Sequence, residues 1–121
     1  LGLFKFSFPN TNNVYLHSTP SKSLFSRDRR DFSHGCIRVQ DPQRLAEWLL
    51  EANGDWPAER IAEFANGDVT KTITLKKPIP VYILYSTVMV DQEGRISFFD
   101  DIYGHDRTLQ VLLSRGFPYP N

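Results

Sequence analysis

Val14-Tyr15-Leu16-His17-Ser18-Thr19-Pro20 is followed by Ser33-His34-Gly35-Cys36-Ile37-Arg38-Val39, and fifteen residues (18–32) separate His17 from Ser33. These two runs carry the single cysteine and two of the three histidines. Gly35 permits a turn that an L-residue resists, and lets backbone approach a ligand closely. Cys36 stands between that glycine and a strand-like Ile37-Arg38-Val39 that feeds a helix start at Asp41-Pro42. A thiol becomes nucleophilic when an imidazolium or a helix start lowers its pKa. His34, two residues away, shares a face with Cys36 if the segment is extended. His17 ends the strand Val14–Leu16, and the intervening loop can bring it back; a chain-distant histidine reaches a thiol proton better than a flanking one. Two plainer readings compete. A free cysteine is often an inert buried thiol, and each histidine could be a polar loop residue. Zinc is a further alternative, since His17, His34, Cys36 and His105 are ligand types, but the H-x-C spacing matches neither usual zinc pattern.

Outward from this core the patterning is mixed. Residues 3–8 alternate, with Phe4, Phe6 and Phe8 on one face, the mark of a half-buried strand. With the Asn-rich turn at 9–13 and the run 14–18, the segment 3–18 predicts a hairpin whose loop holds about five residues. Residues 19–32 form a polar, irregular loop of about 14 residues, a length usually tied to function or disorder. Asp41 and Pro42 are an N-cap and a first-turn proline. A helix over 42–53 follows, with Leu45, Trp48, Leu49 and Ala52 as its stripe. A second helix runs over 57–66, with Ile61, Phe64 and Ala65 buried. Strands are expected at 69–76, 81–90 and 95–99, the last two joined through Glu93-Gly94. A short helix follows near 106–114, and the tail from Gly116 is irregular. The fold class read from this is mainly β with flanking helices.

Composition bounds the rest. A chain of 121 residues predicts one domain, able to bury roughly two-thirds of its unfolded surface without disulfide or metal staples. It is 40% apolar, 13% aromatic and 23% charged, which excludes disordered, collagen-like and disulfide-scaffold classes. Fourteen basic residues balance fourteen acidic ones, so there is no global drive toward nucleic acid or anionic membranes. Locally, Lys22, Arg27, Arg29, Arg30 and Arg38 outweigh Asp28 and Asp31. That surplus suits an anionic substrate, or is simply a solvated loop. It is too short, and too poor in interleaved aromatics, for a nucleic-acid platform.

The pattern His17, a 15-residue spacer, then Ser33-His34-Gly35-Cys36 and an apolar residue resembles the catalytic signature of the L,D-transpeptidases, the YkuD-type catalytic domain. The run 15–30 and the stretch 80–106 are similar to one branch, large bacterial enzymes with a lid subdomain inserted before the signature. Arg38 stands where most of the family has Asn; Arg is usual in that branch and offers a planar cationic fork suited to a carboxylate.

The resemblance implies a β-sandwich catalytic domain of which 1–121 is the C-terminal portion, with further strands and the lid upstream. The chain would then depend on that upstream segment as a partner, because the Phe4, Phe6 and Phe8 face and open sheet edges invite association. It implies Cys36 as nucleophile, His17 as proton acceptor and the main-chain carbonyl of Ser18 as the group that orients it. Gly35 and Cys36 N–H groups would hold the oxyanion, while Ser33, His34, Arg38 and Arg30 would contact substrate. The implied reaction acylates Cys36 with a tetrapeptide stem of peptidoglycan, releases the terminal D-Ala, and passes the acyl group to the side-chain amine of another stem's diamino acid. No cofactor or metal is implied. Carbapenem-type inhibitors would acylate the same thiol, and the setting would be periplasmic or cell-envelope. A carboxypeptidase that uses water as acceptor, and a non-catalytic peptidoglycan-binding module, are the alternatives.

Overall fold

The structure, a computed structural model, describes residues 2–116 and divides into two compact units that meet in the chain between Val81 and Tyr82.

In the first unit, β1 (Lys5–Phe6) pairs antiparallel with β2 (Leu16–His17), and β2 pairs parallel with β3 (Ile37–Arg38). The sheet order is β1-β2-β3. Alternation along 3–8 is realised: Phe4, Phe6 and Phe8 are half-buried, whereas Leu3, Lys5 and Ser7 are exposed. Phe4 and Phe6 stack with ring centroids 6.3 Å apart. The predicted hairpin over 3–18 forms, but its connection is longer than the turn at 9–13. Asn10 closes it by donating from Nδ2 to the carbonyls of Phe8 (2.9 Å) and Val14 (2.7 Å). Its Oδ1 accepts from the N–H groups of Asn12 (3.1 Å) and Val14 (2.9 Å). One side chain thereby satisfies four backbone groups that no ladder reaches.

The loop over 19–32 contains one 3-10 turn, Lys22–Ser26. Beyond β3, Asp41 caps α1 (Pro42–Glu51) by accepting from the Arg44 N–H at 3.2 Å, with proline in the first turn. Helix α2 (Ala58–Asn66) follows. Among the described residues Ala46, Leu50 and Ile61 are the buried apolar ones, and Phe4, Phe6, Trp56, Ile73 and Leu75 pack against them. Burying Leu50 and Ile61 contributes about 1.5–3 kcal/mol each. The stripe expected on α1 is displaced. Trp48 is 58% exposed, and the buried line runs Ala46, Leu50 and Asn53. Apolar spacing alone misplaces it because the third member is polar.

Asn53 also explains the missing strand at 69–76. Its Nδ2 donates to the Thr74 carbonyl at 3.1 Å, and its Oδ1 accepts from the Lys76 N–H at 2.9 Å. Lys76 Nζ donates to the Asn53 carbonyl at 2.6 Å. The segment keeps the strand-like alternation, with Ile73 and Leu75 half-buried. Its backbone, however, is anchored by a side chain and not by a ladder.

In the second unit, β4 (Val88–Val90) and β5 (Ile96–Phe98) form an antiparallel hairpin in register Val88↔Phe98, Met89↔Ser97 and Val90↔Ile96. Asp91 builds the turn. Its Oδ1 accepts from the Glu93 and Arg95 N–H groups at 3.0 and 2.9 Å, and Gly94 takes φ 80°. Helix α3 (His105–Ser114) starts after Gly104, at φ 68°. Asp101 accepts from the N–H groups of His105 (3.0 Å) and Asp106 (2.8 Å) and from the Tyr85 hydroxyl (2.7 Å). Of the strand expected over 81–90 only Val88–Val90 pairs, and the predicted tail lies largely outside the described residues. The helices are 10, 9 and 10 residues long against strands of two or three. The mainly-β content expected from the sequence is therefore not realised among the described residues, because 69–76 and most of 81–90 have no strand to pair with there.

Candidate active site

Parallel pairing of β2 and β3 sets the site. Leu16 lies opposite Ile37 and His17 opposite Arg38. The Ile37 N–H donates to the Tyr15 carbonyl at 3.0 Å and the Val39 N–H to the His17 carbonyl at 2.9 Å. Side chains alternate across a sheet. Tyr15, His17, Cys36 and Arg38 therefore share one face, joined by Lys5 from β1, whose Cα partner is His17. Leu16, Ile37, Phe4 and Phe6 take the opposite face, the one packed on the core. Core burial thus orients the polar face outward.

His17 is held by its own neighbour. Its Nδ1 lies 2.7 Å from the Ser18 carbonyl oxygen. That oxygen can only accept, so Nδ1 carries a proton, and in the neutral tautomer Nε2 is the nitrogen left to take another. Ser18 is buried. Its N–H donates to the Phe4 carbonyl at 2.9 Å, and its Oγ accepts from the Phe4 N–H at 2.8 Å. A Cβ on Gly2 would sit 2.1 Å from that Oγ, so only glycine fits beside it.

The Ser33–Cys36 turn is closed by Ser33 itself. Its Oγ donates to the Cys36 carbonyl at 2.6 Å and accepts from the Gly35 N–H at 3.3 Å. Gly35 adopts φ 147°, and a Cβ there would meet only Val14 Cγ2 at an ordinary 3.7 Å. The requirement for glycine is conformational, not steric. Ser33 thus holds the turn, and the Gly35 N–H expected to face an oxyanion is engaged within it.

Cys36 is a free, half-buried thiol. Its Sγ is directed to the Asn13 carbonyl at 3.9 Å. A pocket of about 260 Å³ opens beside it, lined by Asn12, Asn13, Val14, His34, Gly35 and Cys36. The Tyr15 phenol lies against Cys36, whose side chain, followed by burial and the charge Cys36 carries when ionised, holds the phenol above its usual pKa. His17 and Cys36 share the face but are not hydrogen-bonded to each other. They occupy diagonal positions about 8 Å apart at Cα for standard strand spacing and rise.

The remaining expected residues divide. Arg38 is half-buried on the His17 face and forms no ion pair among the described residues. Arg30 turns into its own loop, donating to the Arg27 and Phe25 carbonyls with its guanidinium 6.0 Å from the Phe25 ring. Arg29 pairs with Asp31 at 2.6 and 2.7 Å and holds that carboxyl below its usual range. The basic surplus of the loop is therefore partly spent internally. His34 lines the pocket, and His105 opens α3 in the second unit. Among the described residues no three His, Cys, Asp or Glu side chains gather into a metal-binding group. Reasoning from sequence missed Asn12 and Asn13, read there only as turn residues, and Tyr15. The period of two that places His17 on a face also places Tyr15 on it, so that signal was present.

Comparison with known proteins decides the class. The L,D-transpeptidase catalytic domain, YkuD, matches residues 1–83, which include both histidines of the site and Cys36. The chain belongs to the L,D-transpeptidase catalytic-domain family. Members of this family are, in general, cysteine-dependent acyltransferases acting on peptidoglycan stem peptides. The chain is also 35% identical over 111 residues, 92% of its length, to a Haemophilus influenzae protein named "Putative L,D-transpeptidase". It spans 22% of that relative's length.

Proposed function

We propose that this chain carries the active site of a peptidoglycan L,D-transpeptidase that cross-links stem peptides through a Cys36 acyl-enzyme. The observation that carries the reading is the 2.7 Å contact between His17 Nδ1 and the Ser18 carbonyl, on the sheet face that also holds Cys36. It assigns the proton of the neutral imidazole to Nδ1 and leaves Nε2 as the acceptor a general base requires. Acylation begins when Nε2 takes the Cys36 proton. Sulfur then bonds the carbonyl carbon of the stem's diamino acid, the C–N bond to D-Ala breaks, and the imidazolium protonates the departing amine. An amine of a second stem attacks the thioester, its proton passes to His17, and the thiol is regenerated.

With the Gly35 N–H turned to Ser33, the Cys36 N–H is the remaining oxyanion donor from this turn. Arg38 is the group for a stem carboxylate, since a half-buried guanidinium without an ion pair gains most from a bidentate anion. A carbapenem-type β-lactam presents a strained amide to the same thiol. A periplasmic or cell-envelope setting follows from where such stems lie.

The experiment is product analysis after incubating a tetrapeptide stem with and without a diamino acid amine. Transpeptidation predicts D-Ala release and a cross-linked dimer that requires the amine. Release of tripeptide without dimer in the presence of amine would assign a carboxypeptidase instead. Intact tetrapeptide bound without chemistry would assign a binding module.

A further inference from the structure

Tyr15 lies on the site face, yet neither the proton transfer nor the acyl transfer described above uses it. The β2–β3 register sets it directly opposite Cys36, with the Ile37 N–H donating to its carbonyl at 3.0 Å. Its ring stands 5.7 Å from the His17 imidazole, tilted 59°. The Lys5 ammonium sits over the Tyr15 ring, 4.3 Å from its centroid. That distance is a cation–π contact, strongest where the pair is partly desolvated. A phenol in contact with a cation and an imidazole, and opposite a thiol in the strand register, is placed as a hydrogen-bond donor to sulfur.

We propose that the Tyr15 hydroxyl is a positioning group for the Cys36 thiolate, donating to sulfur once His17 has taken the thiol proton, with Lys5 holding the ring. The inference rests on the acyl-enzyme reading of the site. The proton passes from Sγ to His17 Nε2, and Tyr15 keeps its own. Before ionisation the thiol's partner is the Asn13 carbonyl at 3.9 Å, an acceptor that offers a thiolate nothing. Ionisation therefore calls for a donor, and Tyr15 is the hydroxyl opposite. Its upward-shifted pKa, caused first by Cys36, keeps the phenol protonated where the thiolate forms. The other charged or titratable groups of this surface are Lys5 from β1, His17 from β2, Arg38 from β3 and His34 in the pocket wall. All are cationic or neutral, and no carboxylate lines the pocket.

The test is the pH profile of Cys36 alkylation by iodoacetamide, measured on the full chain without any stem peptide. Tyr15→Phe keeps the ring and the cation–π contact and deletes only the donor. It is expected to move the profile's midpoint up by about one pH unit, a tenfold loss of rate below the midpoint, as for loss of a hydrogen bond to a charged group. Lys5→Met is expected to move it the same way by less, and Lys5→Arg to restore it. A Tyr15→Phe profile that superimposes on the native one overturns the proposal, as does a Lys5→Met chain that is folded and unshifted. Because no stem peptide is used, failure here is distinct from failure of the transpeptidase reading, which would show as a reactive thiol that takes no stem.

Discussion

The Ser18 carbonyl fixes one imidazole tautomer, and every proton step at the site inherits that choice. A carboxylate performs this task in other triads. A carbonyl adds no charge, so in the proposed acylation an imidazolium at His17 would gain orientation without a buried ion pair. This separates the two histidines near the thiol. His17 is oriented by a partner at 2.7 Å, whereas His34 is exposed in the pocket wall. His17→Ala should slow single-turnover acylation by about 10²–10⁴-fold, the usual worth of a positioned base, and His34→Ala should cost far less. Stopped acylation assays on both variants check the order, and a reversed order would move the base to His34. Gly35 makes a second residue-scale prediction. Gly35→Ala should destabilise the fold by about 1–3 kcal/mol through its φ alone, seen in urea unfolding. Because the nearest side-chain atom is at 3.7 Å, trimming Val14 to Ala in the same chain should not recover the loss.

Elements here are short, and single polar side chains hold them. Asn53 ties 69–76 to the end of α1 by two side-chain hydrogen bonds. Asn53→Ala orphans a half-covered backbone donor and acceptor, and should cost about 2–3 kcal/mol in urea unfolding; an unchanged midpoint would show that the apolar contacts of Ile73 and Leu75 suffice. In the second unit Arg95, followed by backbone N–H groups, holds the Asp91 carboxyl below its usual range. The Tyr85 hydroxyl, with the His105 and Asp106 N–H groups, does the same for Asp101. A depressed carboxyl contributes stability above its unfolded pKa and loses it as pH falls through the folded one. The hairpin turn and the start of α3 should therefore loosen below about pH 4. Backbone amide exchange across 88–98 and 105–108 reads this, and Asp91→Asn should remove the hairpin's share of the pH dependence.

These side chains also show why the sequence was legible in part. Periodicity revealed the hairpin over 3–18, both N-terminal helices and the β4–β5 turn, because each follows from local spacing and turn chemistry. It misjudged α1's inner face and the strand at 69–76, where a buried asparagine sets the geometry; hydropathy cannot anticipate a polar anchor whose partners lie 21 and 23 residues away. His17, Cys36 and Ser18 could be singled out from sequence because their spacing resembles a signature; the structure sets His17 and Cys36 on one sheet face and the Ser18 carbonyl against the imidazole. The Asn12-Asn13 wall becomes visible only when the structure is known, whereas Tyr15 shares the period of two that places His17 and needs the parallel register only to set it opposite Cys36.

At the scale of the molecule, a small apolar core beneath a three-stranded sheet turns one face of that sheet into a chemical surface. The core takes Phe4, Phe6 and their neighbours, and the opposite face presents Lys5, Tyr15, His17, Cys36 and Arg38 together. Among the described residues no helix is long and apolar enough to cross a membrane. In the proposed reaction Cys36 on this surface becomes acylated by a stem peptide. The most direct measurement is intact-protein mass after exposure to a tetrapeptide stem, followed by peptide mapping. Acylation at Cys36 predicts a gain equal to the stem less its terminal D-Ala, localised to Cys36, slowed in His17→Ala and absent in Cys36→Ala. A folded, reduced chain that gains no mass, or gains it at a residue other than Cys36, would contradict it.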